Sequence, residues 1–221
     1  MKQIGRFFQK MNVRTLYFNF KYLPFNQAIK LPILLSSNLC LKKCSGQIYI
    51  DAPVKTGMIQ IGFGDVGLFD KKKSRSIWEV SGIVRFKGEC HIGHGSKISV
   101  GPKGKLIFGK NFLMTAESTI ACFHHVEFGD NSLLSWDILI MDTDYHSIID
   151  ESGKVVNPDK PVIIGSKVWI GCRCLILKGT VIPNNCVIGA NTTVTGTLEI
   201  ENALYAGNPC KLLKQNITWK L

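Results

Sequence analysis

Apolar residues recur every six positions in the C-terminal half of the chain. They stand at Ile164, Ile170, Ile176, Ile182, Ile188 and Val194, with Ile200 on the same beat. Small or polar groups follow them, as in Ile164-Gly165-Ser166 and Ile188-Gly189-Ala190. A period of six matches neither an amphipathic helix at 3.6 nor a half-buried strand at two. It matches a parallel β-helix of short strands, in which one inward residue per strand stacks on its counterpart in the next coil. A β-sandwich would need polar breaks of irregular length. The register is also present over Ile92–Ile98, slips around Gly101–Lys105, and returns at Phe128, Leu134 and Ile140. The interval from Phe128 to Ile164 holds a polar stretch, Asp142–Lys160, that breaks the apolar pattern. This predicts a loop thrown out from one coil, a place where function concentrates.

Upstream the text differs. Ile4, Phe7, Phe8 and Met11 are spaced i, i+3, i+4, i+7, with Lys2, Arg6, Lys10 and Arg14 on other faces, which predicts a helix over residues 1–18. Such a basic amphipathic helix has two readings: it packs on the rest of the chain, or it lies on an anionic membrane. Pro24 and Pro32 bracket a short apolar segment. From about Gly46 the chain becomes glycine-punctuated and β-rich, with strands or first coils at Gln47–Asp51, Met58–Ile61, Ile77–Phe86 and His91–Val100. The predicted organisation is a basic, partly helical segment (1–45), a β-helix (46–205) with a loop at 142–160, and a C-terminal turn and tail (206–221) with a short helix or tail at about 211–216.

The formal net charge is +11, unevenly placed. Residues 1–75 carry 13 Lys and Arg against 3 Asp and Glu, while residues 76–221 carry 14 against 13. The N-terminal third therefore favours anionic partners. No nucleic-acid motif accompanies it, and no nucleic-acid partner is expected. The eight cysteines are scattered and mostly in the periodic region, where a thiol is a small apolar filler. With no signal-peptide pattern in residues 1–10, free thiols and a cytoplasmic setting are expected, with peripheral contact at the inner face of the membrane as an extension. No stretch approaches the ~20 apolar residues of a membrane span.

The run Ile163-Ile164-Gly165-Ser166-Lys167-Val168-Trp169-Ile170-Gly171 resembles the signature of the hexapeptide-repeat acyltransferases. Ile182-Pro183-Asn184-Asn185-Cys186-Val187-Ile188-Gly189-Ala190-Asn191 and Ala206-Gly207-Asn208-Pro209-Cys210-Lys211 extend the likeness. It covers roughly residues 90–214 and points to the branch of maltose, galactoside, nodulation-factor and polysaccharide O-acetyltransferases. The resemblance implies an all-β, left-handed parallel β-helix, a homotrimer with active sites between subunits, and acetyl transfer from acetyl-CoA to a sugar or polysaccharide hydroxyl without an acyl-enzyme.

That chemistry needs a base, and an imidazole with an ordinary pKa of about 6.5 suits it. The resemblance places His146, in Met141-Asp142-Thr143-Asp144-Tyr145-His146, as that base, although Ser147 stands where many relatives have proline. Asp144 or Asp142 is the candidate to orient the imidazolium, and Trp169 the candidate active-site wall. A backbone amide would bind the developing oxyanion. For the donor, the matching positions are Cys172, Ala190 and Thr195 along the pantetheine arm, with Lys211 and Lys214 at the phosphates. Both lysines replace arginines of the relatives, so forked contacts become point charges. Gly196 replaces a common lysine.

Other clusters carry less. Cys90, His91 and His94 with His124 and His125 suggest zinc by type but not by arrangement, and no metal is expected. Cys172 and Cys174 lack an adjacent base, and Glu117 is a weak acceptor-site candidate. The rival functions are an amino-sugar N-acetyltransferase or serine acetyltransferase, and a non-catalytic β-helix scaffold.

Overall fold

The computed structural model describes residues 12–220. Among the described residues, two short helices, α1 (Val13–Tyr22) and α2 (Phe25–Ala28), precede twenty-two strands. Successive strands visit three faces in turn. The first face holds β1 (Ile33–Leu35), β4 (Ile59–Phe63), β7 (Cys90–His94), β10 (Phe112–Ala116), β13 (Leu133–Trp136), β16 (Trp169–Ile170), β19 (Val187–Ile188), β21 (Leu204–Ala206) and β22 (Lys211–Lys214). The second holds β2 (Cys40–Cys44), β5 (Ile77–Val80), β8 (Lys97–Val100), β11 (Thr119–Cys122), β14 (Leu139–Met141), β17 (Leu175–Ile176) and β20 (Thr193–Val194). The third holds β3 (Gln47–Ile50), β6 (Ile83–Phe86), β9 (Lys105–Phe108), β12 (His125–Phe128), β15 (Val162–Ile164) and β18 (Val181–Ile182). Every neighbouring pair is parallel except β21 with β22.

The six-residue beat is this geometry. Three strands make one coil, so Ile164 pairs with Ile182, Ile170 with Ile188 and Ile176 with Val194. All six are buried, each contributing roughly 1.5–3 kcal/mol of burial. In earlier coils the corners are longer. Trp78 pairs with Ile98, and Ile98 with Ile120, which is why the beat slips at Gly101–Lys105. The third face compensates with bulk. Phe86 stacks on Phe108 at 5.3 Å and Phe108 on Phe128 at 5.7 Å, while Phe112 leans on Phe108 and Phe128 at 4.7 Å.

Ile200 does not stack. It is 37% exposed, and Tyr205 takes the inward place, pairing with Ile188. The Tyr205 hydroxyl accepts from Ile200 N and donates to Ile200 O, both at 3.0 Å, so the sixth-position match at 200 is a coincidence of composition.

The coils begin earlier than residue 46, the boundary the glycine pattern suggests. β1 and β2 already pair with β4 and β5. The open edge of β1 is covered by side chains of α1. Asn19 Oδ1 accepts from Ile33 N at 3.1 Å and Asn19 Nδ2 donates to Ile33 O at 2.7 Å. Thr15 Oγ1 accepts from Leu35 N at 3.0 Å, and Asn12 Nδ2 donates to Leu35 O at 2.7 Å. Phe18, fully buried, plugs the end of the core against Trp78 at 5.4 Å. Asn19→Leu strands these buried backbone groups and is expected to lower stability by about 1–3 kcal/mol, read from the denaturant midpoint.

Of the helix expected over residues 1–18, the described part is α1, which runs from Val13 to Tyr22. Asn12 caps it, its Oδ1 accepting from Thr15 N at 3.0 Å. It ends before Pro24, which disfavours helical geometry at Leu23. The Ile4, Phe7, Phe8 and Met11 stripe lies outside the described residues. At the other end, the short helix or tail expected at about 211–216 is β22, folded back antiparallel on β21. The open edge of β21 offers ladder partners at once, whereas so short a helix is costly to nucleate.

Candidate functional site

The extruded loop 142–160 leaves the corner between the second and third faces, joining β14 to β15. Its root is tied down by Asp142, which is fully buried. Asp142 Oδ1 accepts from Phe123 N at 2.7 Å and Oδ2 from His124 N at 2.8 Å. Lys160 N donates to Asp142 O at 3.1 Å and closes the loop's base. At the tip, Ile149 and Val155 form an antiparallel bridge, so the loop is an ordered excursion.

His146 stands on the outgoing limb. Its backbone N–H donates to Asp144 O at 2.7 Å, and its own carbonyl accepts from Asn157 Nδ2 at 2.9 Å. Asn157 Nδ2 also donates to Asp144 Oδ2 at 2.8 Å, and Asn157 Oδ1 accepts from Ile148 N at 2.5 Å. One amide thus clasps both limbs. Tyr145, before the histidine, has a left-handed φ of 60° and packs its ring on Phe123 at 4.9 Å; its N–H donates to Thr143 Oγ1 at 3.0 Å. The imidazole is exposed and lines a cleft of about 250 Å³ with Phe123, Thr143, Tyr145, Asn157 and Asp159 among its walls.

The two aspartates have other duties than the one expected. Asp142 is spent on backbone amides. Asp144 Oδ2 takes the Lys178 ammonium as well as Asn157. Neither carboxylate is bonded to the His146 ring; both hold the loop that carries it. Lys178 donates further to Asn157 O at 2.7 Å. The hydrogen bonds from Lys178 and then Asn157 hold the Asp144 carboxyl below its ordinary range. Its contribution is therefore present above the unfolded value of about 3.9 and lost as pH falls through the lowered folded value. Proteolysis within loop 142–160 is expected to be steady from neutral pH to about 5 and to accelerate below about 4. Lys178→Met is expected to reduce that acid dependence, the Asn157 bond to Asp144 remaining. The group is exposed, so the effect is local.

Trp169 is not brought to this cleft within one chain. It lies on the outside of the first face, where its Nε1 donates to Ser135 Oγ at 3.1 Å and its ring meets Trp219 at 6.1 Å. Cys172 and Ala190 stack at the corner between the first and second faces, where Asn191 N donates to Cys172 O at 2.8 Å. Thr195 and Gly196 stand at the same corner as the loop, one coil beyond Leu177 and Lys178. Leu177 N donates to Val194 O there at 3.1 Å. Lys211 and Lys214 are exposed on β22. The candidates are thus distributed over two edges of a triangular prism and one face.

Burial pushes the Cys174 thiol up, and its Sγ lies 3.1 Å from Gly189 O, the setting of a packing thiol. All eight cysteines are free. Glu117 is held by Ser74 and Lys97 at another corner, away from the His146 cleft. Among the described residues, no three His, Cys, Asp or Glu side chains are placed to hold a metal. His94 is buried beside Phe69, and His125 pairs with Glu127 at 3.2 Å. Asn157 and Lys178 are positioning residues not singled out in the sequence. Lys178 was within reach of the six-residue clock, because Ile140 pairs with Ile176 and so sets Lys178 over the loop root. Asn157 carries no such signal.

Stacked three-strand coils on a six-residue repeat carry one extruded loop, and part of that stack is similar to known proteins. The family model described as bacterial transferase hexapeptide (six repeats) matches residues 161–196. The galactoside O-acetyltransferase of Escherichia coli K12 is 32% identical over 109 residues, 48% of this chain and 52% of that protein. A polysialic acid O-acetyltransferase of Neisseria meningitidis is 39% identical over 114 residues, 51% of this chain and 53% of that protein. The chain spans about half the length of these curated relatives. The crystal structure of the polySia specific acetyltransferase NeuO superposes with a TM-score of 0.52 at 22% identity, covering 86% of this chain and 79% of that one. The shared fold is the left-handed parallel β-helix, an exception to right-handed crossovers.

Proposed function

We propose that this chain is an O-acetyltransferase that moves an acetyl group from acetyl-CoA to a hydroxyl of a surface polysaccharide or its precursor. The observation that carries the reading is His146. Its imidazole is exposed at the wall of a cleft, on a loop pinned at root and waist, and no described side chain bonds its ring. The hexapeptide fold and relatives named as sugar and polysaccharide O-acetyltransferases support it.

In this reading the acceptor hydroxyl gives its proton to the imidazole as its oxygen attacks the acetyl carbonyl. The new C–O ester bond forms, the C–S thioester bond breaks, and the imidazolium returns the proton to the departing thiolate. Asp142, Asp144, Asn157 and Lys178 act one step away, by holding the loop.

The donor would run along a cleft that one chain does not complete. His146 and Thr195 are on one edge of the prism, whereas Cys172 and Ala190 are on another and Trp169 is on the face between its corners. A homotrimer would bring the edge of one copy to the face of the next, with Lys211 and Lys214 near the CoA phosphates. The test is twofold. Free thiol released from acetyl-CoA is measured against a panel of neutral and acidic polysaccharides, amino-sugars and serine, and the mass in solution is measured by light scattering. Thiol release driven by a polysaccharide, from a particle of three chains, is the expected result. Release driven only by amino-sugar or serine reassigns the acceptor; none with any acceptor removes the enzyme reading.

A further inference from the structure

We propose that the outer face of the N-terminal cap docks on an anionic lipid bilayer. α1 turns Thr15, Phe18 and Asn19 onto β1, and its other side exposes Val13, Leu16, Tyr17 and Phe20. α2 adds Phe25, which is 70% exposed, and Ile29 follows it at 59%. The rings of Phe20 and Phe25 lie 6.0 Å apart, so the two helices present one continuous apolar patch. A soluble chain seldom leaves so many large apolar side chains together in water without a partner.

Charge says which partner. The first fifty residues contain eight Lys or Arg (Lys2, Arg6, Lys10, Arg14, Lys21, Lys30, Lys42 and Lys43) and no Asp or Glu. Arg14 is spent on Ser37 O and Leu39 O, at 2.6 and 2.5 Å, and Lys42 on Glu79. Lys21 rests 5.9 Å from the Tyr17 ring at the patch itself, and Lys30 closes the end of α2. Apolar side chains rimmed by ammonium groups suit the headgroup layer of an anionic bilayer, where the rings enter the acyl boundary and the lysines meet phosphates. A second copy would set the same positive rim against itself in a two-fold contact. The patch is preformed, because the Asn19 and Thr15 bonds to β1 lock the helix's other side.

The cap sits on the first coil, and the His146 loop leaves the fifth. Four coil spacings of about 4.8 Å set that loop's coil roughly 19 Å along the axis from the capped end.

The test uses the full chain and vesicles of phosphatidylcholine alone or mixed with phosphatidylglycerol, separated by sedimentation. The protein is expected to pellet with the anionic vesicles only, and less so as salt rises. Leu16→Ser/Phe20→Ser/Phe25→Ser is expected to weaken that partitioning on the order of 10²-fold. Its unfolding midpoint should stay unchanged, since all three side chains are exposed. Lys21→Glu/Lys30→Glu, which leaves every apolar side chain of the patch in place, should weaken it as well. Absence of wild-type binding overturns the proposal. Equal binding by the triple variant overturns it too, by placing attachment on residues 1–11. So does a changed mass in solution with vesicle binding intact, which assigns the patch to a second copy. Turnover is not the readout, so the outcome is independent of the transferase reading.

Discussion

His146→Ala is expected to lower kcat by about 10²–10⁴ while leaving the unfolding midpoint in place. A sugar hydroxyl is too weakly acidic to attack a thioester unless its proton leaves in the same step. His146 is the histidine that lines the cleft of about 250 Å³, and it is exposed there. Removing it deletes the proton acceptor and little else, because the loop is held by backbone and carboxylate contacts: His146 N to Asp144 O, Asn157 to His146 O, and Asp142 to Phe123 and His124. Thiol release under saturating donor and acceptor measures the loss. Asn157→Ala gives the contrast. It leaves the imidazole and frees the loop, so a smaller fall in kcat is expected, together with faster proteolysis at 142–160. Full turnover by His146→Ala would remove the base assignment.

Phe108→Ala is expected to cost about 3–5 kcal/mol, the largest stability effect of any single truncation proposed for this chain. Phe108 is fully buried at the centre of a column, stacked between Phe86 and Phe128 and touched by Phe112. Truncation removes three ring contacts at once. The backbone ladder, fixed by pairing of β9 with β6 and β12, cannot collapse into the void. Chemical unfolding measures it. Lys105→Ala, on the outward side of the same strand, is the matched control and should stay within about 0.5 kcal/mol.

The fold was legible because a coil of three six-residue repeats makes the same inward demand each time. Ile164 through Val194 therefore announce the stacking without any long-range information. Legibility failed where the demand changed. Tyr205 replaces the expected Ile200 because the strand after β20 is reached by a longer path and closes with its own hydroxyl bonds. The first coil was hidden because its edge is completed by Asn19 and Thr15 from a helix rather than by another strand. Sequence periodicity does not record a side chain acting as a strand. The end of the chain, read as a short helix or tail, is β22 for a related reason: the open edge of β21 offers ladder partners.

The site divides in the same way. The loop, its histidine and its aspartates were visible as a polar interruption of a regular text. The partners of those residues were not. Asp144 could be placed near His146 by proximity along the chain, yet its carboxylate faces Lys178, thirty-four residues on, and Asn157, thirteen on.

By itself, then, the order of residues determined the repeat, the stacked core and the position of the excursion. These follow from which side of a strand each apolar group faces, a property local to a few neighbours. Tertiary structure alone decided what caps the first coil, which charges hold the loop, and which candidates share a corner. Each of those is a pairing between groups far apart in the chain, set by the coil rise and by the cost of leaving a backbone or charged group without a partner.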